Sequence, residues 1–82
     1  MTTKEQLKNV CCNVRFLRAR HGLSRSAMAK RIRVSLKTLD SLESGVYPDR
    51  CGISLLFYIY QSFGISPKEN LTTRLEDQEI GM

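Results

Sequence analysis

Apolar side chains recur at helical spacing in the first quarter of the chain. They share one face of an α-helix, at i, i+3, i+4, i+7 and i+10, and are Leu7, Val10, Cys11, Val14 and Leu17. This pattern predicts a helix over residues 4–20, with Arg18 on its buried side. A buried guanidinium without a carboxylate partner is costly, so we expect an acidic residue beside Arg18. Gly22 then ends the helix, and Leu23 folds back over that end.

Serine residues mark the starts of two further helices. Ser24 is a suitable N-cap for a second helix of about eight residues, whose inner face carries Met28, Ala29 and Ile32. Ser35 is a suitable N-cap for a third helix over residues 36–44, whose inner face carries Leu39 and Leu42. Only two residues lie between Ile32 and Ser35, and Gly45 closes the third helix. The spacing predicts two short helices joined by a tight turn.

The fourth predicted helix, over residues 53–63, is apolar most of the way round. We expect its inward face to carry Leu56, Ile59, Tyr60 and Phe63. Further apolar residues lie elsewhere on the same helix, namely Leu55, Phe57 and Tyr58. A domain of 82 residues offers only one core, so a second surface must cover this helix. That surface is either a partner or the chain's own tail, through Leu75 and Ile80.

A short fifth helix and an acidic tail complete the predicted domain. Ser66 supplies an N-cap, Pro67 suits the first helical position, and Leu71 anchors the helix. Residues 72–82 are either frayed or a brief terminal helix. No stretch alternates apolar and polar residues with enrichment in Val, Ile or Thr, so no strand is expected. The pattern predicts an all-α fold of five short helices, with a domain over residues 1–71 and a tail over residues 72–82.

The composition fits one globular domain. Of the 82 residues, 41% are hydrophobic and 26% are charged, while Trp is absent, so the core must be mostly aliphatic. The charge-free run before Lys68 is too short and too polar to span a membrane, and no apolar segment of a secretion signal follows the N-terminus. Three cysteines lack the spacing of a disulfide framework or a metal site, which favours a reducing cytoplasm.

The charges are divided unequally between the two halves of the chain. Residues 1–39 hold ten Lys or Arg and one acidic residue, whereas residues 40–82 hold three basic and seven acidic residues. A surface formed by the first half would attract a polyanion such as a nucleic acid, because neutralising phosphates releases counterions. A merely solvated basic surface is the alternative.

The residues offer little for catalysis. His21 lies beside Gly22 at a helix end, with no nucleophile at a recognisable spacing, and is interpreted as a surface residue. Adjacent residues on a helix point about 100° apart, so Cys11 and Cys12 cannot form one unstrained site. Cys11 is expected in the core and Cys12 partly exposed. The glycines are scattered singly, not grouped as a phosphate-binding loop. We expect no enzyme activity, cofactor, metal or small-molecule ligand.

The stretch from Val14 to Gly45, VRFLRARHGLSRSAMAKRIRVSLKTLDSLESG, resembles the Cro/C1-type (XRE) helix-turn-helix family. The resemblance extends to Leu71 and covers roughly three quarters of the chain. Its strongest elements, in order, are Val14-Arg15-x-Leu17-Arg18, Gly22-Leu23-Ser24, Met28-Ala29, Val34-Ser35 and Leu39-x-x-Leu42-Glu43-x-Gly45. Their order and spacing are fairly specific. The resemblance implies a lambda repressor-like fold that presents its third helix to the major groove of DNA.

The resemblance also assigns roles to particular residues. In the family an arginine of helix 1 pairs with a glutamate near the end of helix 3, which here implies an ion pair between Arg18 and Glu43. Helix 3 would be the recognition helix, with exposed residues facing base edges, namely Leu36, Lys37, Thr38 and Ser41. Three of these have an alternative role: Leu36 as cover for the edge of the core, Thr38 as an ordinary surface residue and Lys37 as a phosphate contact. Asp40 either accepts a hydrogen bond from cytosine N4 or points aside.

Contacts to the DNA backbone are expected around this helix. The start of helix 2 offers Ser24 and Arg25, and Ser35 is a further candidate for DNA contact. Arg50, just past helix 3, resembles loop positions that reach the backbone or the minor groove, with a solvated role as the alternative. Further candidates for phosphate contacts are Arg15, Lys30, Arg31 and Arg33. A helix cannot direct all of these side chains the same way. The family commonly has glutamine at the position of Arg25. It favours glycine at the position of Arg33, where the turn often needs a positive φ.

The sequence therefore predicts a cytoplasmic DNA-binding transcriptional regulator that binds double-stranded DNA as a homodimer on a palindromic operator. The surplus apolar residues of helix 4 would form the dimer surface, namely Leu55, Phe57, Tyr58 and Tyr60. One alternative is a protein-interaction module, such as an antitoxin-like or mobile-element accessory protein, that acts through helix 4. Another is an RNA-binding domain, which is disfavoured because Phe16 is the only aromatic residue in the basic half.

Overall fold

Helices account for all the regular structure between residues 2 and 80, the part of the chain that the computed structural model describes; side chains are described as far as Gln78. In chain order they are α1 (Thr3–Arg20), α2 (Arg25–Arg31), α3 (Leu36–Glu43), a 3-10 helix (Asp49–Cys51), α4 (Ser54–Phe63), α5 (Pro67–Thr72) and α6 (Leu75–Ile80). The predicted all-α class is confirmed. The described residues contain six α-helices instead of five, because the tail forms the brief terminal helix α6, the second of its two predicted alternatives.

The predicted serine caps begin three of these helices. The hydroxyl oxygens of Ser24 and Ser35 each accept a hydrogen bond, at 3.1 Å, from the backbone N–H three residues further on. Ser66 does the same at the start of α5, at 3.2 Å. Each cap satisfies one of the N–H groups that a helix start leaves without a partner, which fixes where the helix begins.

The core is built around α1, which packs against α3, α5 and α6. Its predicted stripe is buried from Val10 to Leu17, while Leu7 is only half-buried. The other core side chains come from α2 and the C-cap residue that follows it, and from α3, α4 and α6; they are Met28, Ala29, Ile32, Leu39, Leu42, Leu55, Leu56, Ile59 and Leu75. Phe63 and Leu71 are partly buried against this cluster. The core is aliphatic, as the composition predicts.

The inward face of α4 differs from the prediction. Leu56 and Ile59 are buried as expected, but Tyr60 is 50% exposed and Leu55 is only 2% exposed. The prediction was wrong for Leu55 and Tyr60 because α4 is apolar on several sides, so helical periodicity alone does not select the buried one. Leu55 instead faces the turn between α2 and α3, where it lines the same cleft as Val34.

Two asparagines of α1 hold the C-terminal segment against the core. Asn13 Nδ2 donates to the backbone oxygens of Asn70 and Thr73, at 3.1 and 2.8 Å, and its Oδ1 accepts from Leu75 N at 2.9 Å. One turn earlier, Asn9 Nδ2 donates to the backbone oxygen of Leu71 at 2.8 Å. The tail as far as Leu75 therefore belongs to the same packed unit as residues 2–71.

Candidate nucleic-acid interface

The third helix presents one face to the core and the other to solvent. Leu39 and Leu42 are fully buried, which fixes the orientation of α3. Leu36 and Lys37 lie on the outer side, and Leu36 is 46% exposed. The ammonium of Lys37 has no hydrogen-bond or ion-pair partner among the described residues. The first turn of α3 thus combines a free cation with an exposed apolar side chain.

Thr38 does not lie on the outer face, which corrects the prediction that it faces base edges. It is 5% exposed, and its Oγ1 accepts hydrogen bonds from Ser35 Oγ at 3.0 Å and from Arg50 Nη2 at 3.1 Å. At the third position of the helix, its side chain is directed back towards the N-cap. Thr38 therefore connects the start of α3 to the 3-10 helix.

The serines around α3 use their hydroxyl groups within the protein. Ser35 is exposed, but its hydroxyl caps the helix and donates to Thr38. Ser41 is half-buried, and its Oγ donates to the backbone oxygen of Lys37 at 3.3 Å. A hydroxyl that donates still has a lone pair to accept with. Ser41 therefore remains available as an acceptor on the outer side of α3.

An ion pair connects the start of α2 to the outer face of α3. Arg25 Nη2 lies 2.7 Å from Asp40 Oδ1, and the two side chains are 56% and 51% exposed. Solvent screens a pair this exposed, so it contributes little to stability. Its main effect is to orient the side chain of Asp40, whose carboxylate points aside towards Arg25. Of the two alternatives for Asp40, the structure shows the second.

The turn between α2 and α3 has the left-handed conformation that the family resemblance implies, although it contains arginine. Arg33 has φ 60°. Its N–H donates to the backbone oxygen of Lys30 at 3.3 Å, and Val34 N donates to that of Ala29 at 2.9 Å, which is the Schellman arrangement usually closed by glycine. The Arg33 guanidinium lies 5.0 Å from the ring centroid of Tyr58 in α4.

The remaining basic candidates point in several directions, as predicted. Arg15 and Lys30 are exposed. Arg31 is held at the end of α4, where its Nη2 donates to the backbone oxygen of Ser62 at 3.3 Å and its guanidinium lies 4.8 Å from the ring centroid of Phe63. Arg50 lies in the 3-10 helix and donates to Thr38. Arg31 is therefore directed away from α3, while Arg50 is directed towards its start.

Arg18 and Glu43 support α3 from beneath, as the resemblance implies. Nε and Nη2 of Arg18 lie 2.7 and 2.9 Å from the two carboxylate oxygens of Glu43. The side chains are 27% and 15% exposed, so the pair is partly shielded from water. Hydrogen bonding to Glu43 raises the pKa of Arg18, partial burial lowers it, and the charge of Glu43 raises it again. The net shift is upward, so this guanidinium stays charged.

The predicted dimer surface is only partly exposed. Phe57 and Tyr60 are exposed and Tyr58 is half-buried, whereas Leu55 belongs to the core and is removed from this surface. Ile53, just before α4, is 64% exposed and was missed by the sequence reasoning. Its spacing to Phe57 and Tyr60 is i, i+4 and i+7, so these three residues form one exposed apolar stripe.

Three smaller sequence predictions, those for Cys11, Cys12 and His21, have definite outcomes. Cys11 is buried, Cys12 is half-buried and His21 is exposed, as predicted; the His21 ring stacks at a tilt on Phe63, with 5.0 Å between centroids. No cluster of His, Cys, Asp or Glu suited to a metal ion occurs among the described residues. Across residues 2–80, no helix has both the length and the apolar character of a membrane span.

Comparison with protein-family models, with curated proteins and with solved structures finds no match to this chain. The candidate site consists of the outward face of α3, the first-turn lysine without a partner among the described residues, and arginines on both sides of the helix N-terminus.

Proposed function

We propose that the protein is a sequence-specific DNA-binding transcriptional regulator with a Cro/C1-type helix-turn-helix fold. The observation that carries this proposal is the outer face of α3, where Leu36 is exposed and Lys37 has no partner among the described residues. Short helices joined by a tight turn are what a major-groove reader requires, since the second helix must project from the domain.

The surroundings of α3 support the proposal. Ser24 and Arg25 flank it at the start of α2, and Arg33 and Arg50 flank its own first turn. Arginine and backbone N–H groups at such places contact phosphates and so orient a recognition helix. The tail packs on α1, where Leu75 and Gln78 lie close to Phe16 and leave the first turn of α3 exposed.

Within the proposed groove contact, Lys37 would donate to guanine O6 or N7 and Leu36 would contact a thymine methyl group. Ser41 would add an acceptor. Thr38 takes no part, since its hydroxyl is committed to Ser35 and Arg50.

The proposed functional unit is a homodimer that places two recognition helices about 34 to 36 Å apart, one turn of the duplex. The stripe of Ile53, Phe57 and Tyr60 is the dimer surface in this proposal, because a symmetric pair buries the same apolar patch on both copies. Phe57→Lys should give a monomer by sedimentation and should weaken binding to a palindromic duplex more than to a half-site.

Fluorescence polarisation on duplex fragments, with wild type, Lys37→Ala and the control Lys68→Ala on α5, tests the proposal. Each variant is titrated at about 50 and 200 mM salt, and wild-type affinity should fall steeply between them. If Lys37→Ala loses affinity only for the preferred site, Lys37 contacts bases. If it loses affinity equally for all sequences, Lys37 contacts a phosphate. Lys68→Ala should bind like wild type. Absence of saturable duplex binding at low salt would refute the proposal.

The same exposed stripe favours one alternative function, a module that binds another protein through α4. An apolar contact of that kind hardly depends on salt, whereas DNA binding through phosphates does. The two salt concentrations therefore separate the alternatives.

A further inference from the structure

A cleft of about 330 Å³, the α1/α6 cleft, lies between the end of α1, the end of α4 and α6. Its lining residues come from positions 16–21, 63–65 and 75–78. No described residue of α2 or α3 lines it, so it is separate from the proposed DNA-binding face. Because its segments are far apart in the sequence, the expectation of no small-molecule ligand was formed without this cleft.

The inner part of the α1/α6 cleft is apolar. Leu17 and Leu75 form its floor, and each is only 5% exposed. Its walls are the half-buried side chains of Phe16, Phe63 and Ile65, which pack against the core. Ligand sites typically measure roughly 300 to 1,000 Å³, so a cleft of this size fits a molecule of one or two rings.

The rim of the cleft is polar, and its side chains are those of Arg20, His21 and Gln78, all of them exposed. Arg20 lies four residues after Phe16, and His21 lies four residues after Leu17. This spacing places each polar side chain one turn beyond an apolar one on the same side of α1. The cleft thus combines an apolar interior with hydrogen-bond donors at its edge, which suits a ligand with an apolar body and a polar head.

The charge of the rim favours an anionic head. Arg20 is the only Lys or Arg among the described residues that line the cleft, and no described Asp or Glu lines it. A guanidinium has five N–H donors, so Arg20 can bind a carboxylate in addition to its contact within the protein. A single cation matches the single charge of a carboxylate better than the charge of about −1.5 to −2 that a phosphate ester carries.

The aromatic wall of the cleft is held in position by the protein itself. The ring centroids of His21 and Phe63 are 5.0 Å apart with their planes at 52°, and the Arg31 guanidinium lies 4.8 Å from the Phe63 centroid. A ring that is already fixed loses little conformational freedom when a ligand binds. Aromatic rings attract one another in tilted or offset arrangements, so the flat ring of a ligand fits beside Phe16 and Phe63.

We propose that the α1/α6 cleft binds a small aromatic carboxylate. The aromatic ring of the ligand lies between Phe16 and Phe63, and its carboxylate accepts hydrogen bonds from Arg20. Because Leu75 and Gln78 belong to α6, the ligand contacts α1 and α6 together and stabilises the packing of the tail. The site does not include α3, so the results of duplex binding and of carboxylate binding are independent.

Phenylacetate is the probe, and its uncharged amide phenylacetamide and acetate are the matched compounds. Amide NMR spectra of the ¹⁵N-labelled protein are recorded with each compound at equal ionic strength. We expect saturable shifts at His21, Ile65 and Gln78 with phenylacetate, with a Kd on the order of millimolar for a ligand of this size. Phenylacetamide should bind about tenfold more weakly, the effect of one lost charge-assisted hydrogen bond. Acetate should cause no saturable shifts, because it lacks the ring.

Arg20→Gln tests the contact with the carboxylate. This variant should bind phenylacetate about tenfold more weakly than wild type and should bind phenylacetamide equally well, because only the acid carries the charge. The control Arg15→Gln, exposed on the same helix but outside the cleft, should bind both compounds like wild type. Equal phenylacetate affinity in wild type and Arg20→Gln would overturn the inference. Shifts with phenylacetate that do not saturate, or that acetate reproduces, would overturn it as well.

Hydrogen exchange tests whether the ligand contacts α6. Leu75 N donates to Asn13 Oδ1 at 2.9 Å, and this bond must open before the amide exchanges. Opening also separates the two sides of the cleft and releases the ligand. Phenylacetate at ten times its Kd should therefore slow exchange at Leu75 by about tenfold. Unchanged exchange at that concentration would place the ligand elsewhere and would refute the proposed site.

Discussion

The guanidinium of Arg18 meets the carboxylate of Glu43 at two points, Nε to Oε2 at 2.7 Å and Nη2 to Oε1 at 2.9 Å. The third nitrogen, Nη1, donates to the backbone oxygen of Leu23 at 3.3 Å. One side chain thus joins α1, the turn after it and the end of α3. Because α3 carries the proposed recognition face, this pair sets the angle at which that face is held.

Loss of either partner should destabilise the protein. Arg18→Gln leaves the half-buried carboxylate of Glu43 without its cation, and we expect the free energy of unfolding to fall by about 2 to 4 kcal/mol. Urea unfolding at neutral pH measures the change. The control Arg15→Gln, on the exposed side of α1, should shift stability by less than about 0.5 kcal/mol. The double variant Arg18→Met with Glu43→Leu should recover much of the loss, and equal effects of Arg15→Gln and Arg18→Gln would contradict the prediction.

Arg33→Gly should stabilise the protein. A non-glycine residue in the left-handed conformation costs about 1 to 2 kcal/mol of stability, which glycine avoids. Loss of the contact between the guanidinium and the Tyr58 ring costs about 0.5 to 1 kcal/mol. The free energy of unfolding should therefore rise by about 0.5 to 1 kcal/mol. The matched control is Arg33→Ala, which lacks the guanidinium but keeps the strained backbone and should be less stable than wild type. The melting temperatures of the three proteins should rank Gly above Arg above Ala at this position, and any other order counts against the argument.

Asn13→Ala should detach the C-terminal segment from α1. It removes the partners of Thr73 O, Asn70 O and Leu75 N together, and unpaired buried groups of this kind cost about 1 to 3 kcal/mol each. We expect a total loss of about 3 kcal/mol, below the simple sum because water reaches the detached segment. Hydrogen exchange at Leu75 N should accelerate, whereas Lys8→Ala, exposed on the same helix, should leave that amide protected. Unchanged protection in Asn13→Ala would mean that packing alone holds the tail.

Alkaline pH should destabilise the protein through Cys11. Burial, aided by the nearby Cys12 and Cys51, raises the pKa of this thiol from 9.0 to about 11. At pH values between these two pKa values the unfolded chain binds fewer protons than the folded one. The contribution of Cys11 to stability is therefore fully present below pH 9 and is lost as the pH approaches 11, by on the order of 2 kcal/mol. Burial raises the pKa of Tyr47 to about 12, which extends the decline to higher pH.

Urea unfolding between about pH 8 and pH 10 separates the contribution of Cys11 from most of that of Tyr47, whose effect sets in near pH 10. Cys11→Ala should flatten the pH dependence, although burial also raises the pKa of Cys51 against the opposing charge of Arg50, which leaves a residual slope. Cys12→Ala should keep most of the wild-type slope, because burial is the largest cause of the Cys11 shift. A slope that is the same in Cys11→Ala and wild type would show that other groups govern alkaline stability.

The helices were predictable because their signals are local. The stripe of α1, the caps at Ser24 and Ser35 and the glycine at position 22 each depend on neighbours within one or two turns, and the observed helix ends differ from the predicted ones by a single residue at most places. The need for an acidic partner beside Arg18 also followed from periodicity, and the family resemblance named Glu43. The structure bears out both.

Only the tertiary structure decided which side of a helix is buried and which distant side chains are in contact. Periodicity cannot select the buried side of a helix that is apolar all round, so the burial of Leu55 and the exposure of Tyr60 depend on how α4 packs against its neighbours. The position of Thr38 on α3 does not reveal that its hydroxyl accepts a hydrogen bond from Arg50, which lies 12 residues further along the chain. Asn9 and Asn13 have polar side chains whose partners lie about sixty residues away in sequence, at Leu71 and Leu75. The sequence by itself determined where helices form, since capping and periodicity act over a few residues; only the packed chain determined which side chains meet, since those contacts join distant segments.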